Sequence, residues 1–199
     1  QVATEQQPGT QIKLVGFDES YRKQVPTKGR TVANQLLEHM LWYFVRQGSA
    51  PNIQVEDAGD IFELDSLLEE HMHASAFLET IRIRDYAFDL THIKFRALVN
   101  KKHQLALCAA NRLVKEESIQ GKIPGLYGKI SDESGEFTYT CYVSSGYLDE
   151  RVRSERTSFD IAENVEDILN EVSFKDIRDA VLARTKEYLQ DVLAENVSA

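Results

Sequence analysis

Hydrophobic and polar positions follow two periods along the chain. Ile12, Leu14 and Gly16 alternate against Lys13, Val15 and Phe17, a two-residue period that predicts a strand. A polar connection with Pro26 and Gly29 follows. Ala33, Leu36, Leu37, Met40, Leu41, Phe44 and Val45 then recur at helical spacing, which predicts a core-packing helix over 32–46. Thr31 is its expected cap and Gly48 its stop. Residues 52–57 and 61–64 read as short strands joined by Asp57-Ala58-Gly59-Asp60, and 65–72 as a short helix. Residues 78–84, 86–99, 104–110 and 137–144 carry the alternation and β-branched content of strands. Asn100-Lys101-Lys102 and Asp132-Glu133-Ser134-Gly135 supply turns between them. A helix over 173–193 closes the chain, with Ser173 and Asp176 as a capping box. Ile177, Val181, Tyr188, Val192 and Leu193 share one face of it, interrupted by Arg184. The order strand, helix, strands, helix predicts an α+β fold, a mixed β-sheet covered by helices.

Composition narrows the classes. The chain has 199 residues, with 42% hydrophobic and 28% charged, which suits one domain. Lys and Arg number 23 against 32 Asp and Glu, a net charge of −9, so no direct nucleic-acid partner is expected. The longest apolar run, 40–45, is far too short to span a bilayer, and no membrane association is expected. Cys108 and Cys141 lie in apolar strand patterns and read as buried thiols of a reducing, cytoplasmic compartment. The chain begins at Gln1, which reads as a processed start or as a piece of something longer.

Most candidate motifs fail on spacing. Residues 121–129 are glycine-rich, yet Ile123 and Ile130 stand where a phosphate loop needs Gly and a hydroxyl, and Pro124 removes an N–H. His71 and His73, with Glu69 and Glu70, lack the i, i+4 spacing of a helical metal pair, so no metal site is expected. No nucleophile elbow or local Cys/His signature occurs. Asp57-Ala58-Gly59 is too short for an adenine-binding loop, because Ile61 replaces the second Gly. The stretch that stands out is 147–159, where Arg151, Arg153 and Arg156 cluster in an acidic protein. Guanidinium forks match phosphate oxygens; Asp149, Glu150 and Glu155 lie close enough to neutralise them as a solvated loop.

Four segments in order resemble the transducer (middle) domain of GHKL-type ATPases, a group including MutL and bacterial Hsp90-like ATP-binding proteins. Pro8-Gly9-Thr10-Gln11-Ile12-Lys13-Leu14 is similar to the Gly-Thr-x-Ile-x-Leu strand ending the ATPase domain. Residues 107–115 are similar to a Tyr-Val-Asn-Gly-Arg-x-Val strand and turn, and 139–143 to the next core strand. Arg151-Val152-Arg153-Ser154-Glu155-Arg156 falls on Asn-Val-His-Pro-Ala-Lys. The resemblance implies a transducer-type βαβ fold with a left-handed crossover and a C-terminal helix. It divides the chain into 1–17 as the end of an upstream ATPase domain or entry strand, 18–172 as the transducer, and 173–199 as the closing helix. It implies that Arg156 contacts the terminal phosphate, with Arg153 as second candidate. No cofactor is expected in this fragment, whereas ATP and Mg are expected in the parent. The fragment alone is then no enzyme, and the parent is an ATPase. The implied partners are the parent's N-terminal ATPase domain and a second protomer. The alternative is an independent interaction module offering Leu182, Tyr188 and the last helix to a partner.

Overall fold

A computed structural model describes residues 10, 12–16, 18–46, 50–71, 76–96, 102–155, 157–164 and 171–198. Its architecture is α+β, as predicted, with a mixed sheet between two helical layers. The sheet contains β3 (Phe77–Ile83), β4 (Tyr86–Phe95), β5 (Gln104–Ala109), β6 (Arg112–Ser118), β7 (Ile130–Asp132) and β8 (Gly135–Ser144). Its order is β3-β4-β8-β5-β6, with β7 paired to the start of β8. Strand β8 lies centrally and is buried on both faces from Phe137 to Val143, so even Thr138 and Thr140, which alternate with its aromatic residues, are out of water.

Strand alternation divides the core in two. One face presents Ile93, Phe95, Ala106, Cys108 and Tyr142 to α2 (Gly29–Val45) and α3 (Leu64–His71). Helix α2 seats Ala33, Leu37 and Leu41, one turn apart, and adds Trp42, stacked on Tyr142 at 5.1 Å. The other face presents Phe88, Leu90, Leu105, Leu107, Tyr139, Cys141 and Val143 to α5 (Phe174–Tyr188) and α6 (Gln190–Ser198). The predicted capping box is present at Ser173 and Asp176. A separate hairpin, β1 (Gln54–Asp57) with β2 (Asp60–Glu63), turns through Ala58 and Gly59 at φ 52° and 96°.

Several expectations are corrected. Residues 12–16 form no strand; Ile12, Leu14 and Val15 are 78%, 72% and 74% exposed, because no described strand pairs with them. Thr31 lies inside α2, whose first residue is Gly29, so it caps nothing. Gly48 lies outside the described residues, and α2 ends at Val45. The closing helix breaks at Leu189 into α5 and α6. Four elements were not anticipated as such: α1 (Glu19–Arg22), β6, β7 and α4 (Gly146–Arg151). Among the described strands, the parallel pair is β5 with β8, and the chain joins them through β6, a loop and β7. No helix lies between them, so the helical crossover implied by the resemblance is not what connects this pair.

Candidate functional site

The arginine cluster begins where β8 delivers the chain into α4. Ser145 caps that short helix by accepting from Leu148 N at 3.1 Å. Tyr147 anchors it from inside, donating to Val172 O at 2.7 Å, and burial pushes its phenol up. The chain then doubles back. Val152 forms an isolated antiparallel bridge with Phe159, Asp160 N donates to Arg151 O at 2.7 Å, and Arg153 N donates to Ser158 O at 3.0 Å. The result is a loop clamped at its base, with Phe159 buried beneath it.

This clamp separates the arginines. Arg151 lies over the Tyr147 ring at 3.8 Å and reaches Tyr86 at 5.9 Å, so it is a packing residue. Arg153 stands beyond the clamp with 58% of its side chain exposed and a loose ion pair, 3.7 Å, to Asp160. Arg156 lies outside the described residues. Of the three, Arg153 is the one shown presented to solvent.

The other candidates resolve into structure. The glycine-rich segment 121–129 is a packed loop that buries Ile123 and Leu126. Gly125 has φ +83°, and a Cβ there would meet Leu193 O at 2.9 Å, so this glycine serves the approach of α6. His71 is buried and shares a hydrogen bond with Asn34 at 3.3 Å, while His73 lies outside the described residues. No group of metal-binding side chains occurs among the described residues. Cys108 and Cys141 are buried, and burial raises both thiols, Cys141 to about 12. Leu182 and Tyr188 pack on the core, and Tyr188 stacks on Phe77 at 5.3 Å. Both are half-buried, and on the last helix Val197 is exposed. No described helix is long and apolar enough to cross a membrane.

One constellation escaped the sequence reading because its members are distant in the chain. His92, fully buried, meets Tyr139 Oη through Nδ1 at 2.6 Å and Glu79 Oε1 through Nε2 at 2.9 Å. Tyr139 Oη lies 3.0 Å from Thr185 Oγ1, and Arg184 donates to both Glu79 oxygens at 3.0–3.1 Å. Two adjacent residues of α5 thus hold both ends of one polar chain across the sheet. Burial lowers the His92 pKa despite Glu79, whereas the Arg184 and His92 bonds outweigh burial and lower that of Glu79. Every hydrogen-bonding group here has a partner, which marks a structural tie rather than a reacting centre. Searches among family models, curated proteins and solved structures found nothing that matches this chain.

Proposed function

We propose that the chain is the transducer domain of a GHKL-type ATP-binding protein, reporting the nucleotide state of an adjoining ATPase domain to a partner or second protomer. The observation that carries this reading is the clamped loop after α4. It holds Arg153 outward on a fixed base and has Arg156 at its far side in sequence. A guanidinium presented this way suits an anion arriving from another domain, because among the described residues its charge meets a loose ion pair to Asp160 at 3.7 Å. At a terminal phosphate it would stabilise developing charge and make hydrolysis depend on domain approach. The exposed apolar residues Ile12 and Leu14 support the same reading, since their two-residue spacing suits a sheet supplied by a neighbouring domain.

The test is made in the longer protein. Arg153→Ala and Arg156→Ala are each expected to spare ATP binding, and at least one to cut hydrolysis strongly. Undiminished turnover in both variants overturns the assignment. The fragment alone is expected to give no heat on titration with ATP.

A further inference from the structure

On the α2 side of the sheet, an open trench of about 590 Å³ runs from β3 toward the β5–β6 turn. Strand register builds its floor in two rows. Thr80, Asp89 and Ser144 form one row, and Leu78 and Thr91 begin the next, whose third member, Tyr142, is buried under Trp42. Helix α2 covers only one end, where Trp42 lies on Tyr142 and Arg46 follows four residues later on the same helical face.

The roof has unmet donors. Trp42 is only 7% exposed, and neither its indole Nε1 nor Arg46 Nε has a hydrogen-bond partner among the described residues. Buried N–H groups are seldom left so, which points to an acceptor that the described residues do not supply. Arg46 is itself held in place, donating through Nη1 to Asn111 O at 3.2 Å. The rest of the trench has the opposite character. Asp89 accepts from Thr80 Oγ1 at 2.7 Å, and Asp149 from Ala110 N at 2.7 Å. Both carboxylates are exposed on the lining, and a carboxylate accepts several hydrogen bonds. Glu79 is already committed to Arg184 and His92. Leu78, 48% exposed, adds an apolar rim suited to an aliphatic stem.

A fitting ligand therefore brings an acceptor to α2 and a cation to the acidic floor. An extended peptide with a Lys or Arg has both, and the net charge of −9 favours its approach. We propose that this trench binds a basic, extended peptide segment of a partner protein, a backbone carbonyl on Trp42 and Arg46 and a basic side chain on Asp89 and Asp149. The inference does not rest on the nucleotide-sensing reading.

Trp42 is the chain's single tryptophan, so its emission reports on the trench directly. The probes are acetyl-Gly-Arg-Gly-amide and its acidic counterpart acetyl-Gly-Glu-Gly-amide, titrated to millimolar concentration. A saturable emission change with the basic peptide, absent with the acidic one, is expected. Asp89→Asn, at an exposed position, is expected to weaken binding by about tenfold. Trp42→Phe keeps a ring on Tyr142 but removes the donor, and calorimetry should show weaker binding; if it loses the native circular dichroism, Asp89→Asn alone decides. No saturable response, an equal response to the acidic peptide, or unweakened binding by Asp89→Asn overturns the proposal.

Discussion

Asp57 Oδ2 accepts a hydrogen bond from the Gly29 backbone N–H at 2.7 Å, so the turn of one hairpin caps the first residue of α2. Lys28, the residue in the capping position, contributes no side-chain bond, and the carboxylate also sits at the positive end of the helix dipole. The approach is tight enough to exclude a side chain: a Cβ on Gly29 would lie 2.4 Å from Asp57 Cβ. Two opposing effects follow for Gly29→Ala. Helix propensity alone favours alanine by about 1 kcal/mol. Overpacking against backbone-fixed Asp57 costs about 1–3 kcal/mol and removes the cap as well. The variant is expected to be destabilised, and Asp57→Ala to lose about 1 kcal/mol. Urea denaturation of the two variants checks both, and a stabilised Gly29→Ala would show that the hairpin yields instead.

Stability should fall in two stages as pH drops. Burial lowers the pKa values of His71, His92 and His103 from 6.5. Below about 6.5 the unfolded chain takes up protons that these folded imidazoles refuse, so acid favours unfolding. The second stage belongs to Glu79, Glu117, Asp132 and Asp176, whose folded pKa values lie below 4.5 or 3.8. Their stabilising contribution is complete above the unfolded value and is lost as pH falls through the folded one. Denaturation midpoints measured from pH 8 to 3 should decline first below about 6.5 and again below about 4.5. His92→Gln is expected to shallow the first decline. A flat profile from pH 8 to 5 would mean that these histidines titrate alike in both states.

Local periodicity made α2, the β1–β2 hairpin, β3, β4 and β8 legible, because each buries a face set by a period of 3.6 or 2. Strand β6 (Arg112–Ser118) was harder, being a half-exposed edge rich in charge whose pairing comes from β5 through a turn at Ala110 and Asn111. Helix α4, with six residues, is too short to show a period. Nothing local stops the closing helix at Leu189, since neither Gly nor Pro stands there; the break accompanies α6 packing on the loop around Gly125. The arginine loop was visible as a charge anomaly, but the division between packed Arg151 and presented Arg153 depends on Tyr147 and the Val152–Phe159 bridge. The cap at Gly29 and the chain from Glu79 to Thr185 join residues 28 and more than 100 positions apart. The segment 12–16 shows the converse, alternation without a partner in the described chain.

Cys108 and Cys141 are predicted to stay unmodified in the native protein. They belong to opposite faces of the sheet, Cys108 beneath α2 and Cys141 beneath α5. Side chains on opposite faces diverge, so an intramolecular disulfide is not available without unfolding. Their raised pKa values leave almost no thiolate at neutral pH. Alkylation by iodoacetamide, followed by mass spectrometry, should therefore track unfolding across a urea series. Rapid labelling of either thiol without denaturant would reveal local opening of that face.

Arg151 and Arg153 should separate cleanly on mutation, although two positions apart. Arg151 covers Tyr147 at 3.8 Å, and that ring supports α4 through its bonds to Val172. Truncation to alanine removes a cation–π contact and the packing of the aliphatic stem, about 1–2 kcal/mol together. Arg151→Lys keeps the charge but loses the planar stacking, so most of that loss should remain. Arg153 is mostly exposed, and its ion pair with Asp160 is long, so Arg153→Ala should change stability by under about 0.5 kcal/mol. In the longer ATP-binding protein proposed above, the order is expected to reverse: Arg151→Ala should lower the unfolding midpoint while retaining turnover, and any loss of turnover should follow Arg153 or Arg156. Measuring both quantities on the same variants makes the comparison decisive. A stable Arg151→Ala protein with abolished hydrolysis would move the phosphate-facing role to Arg151 and contradict its assignment as a packing residue.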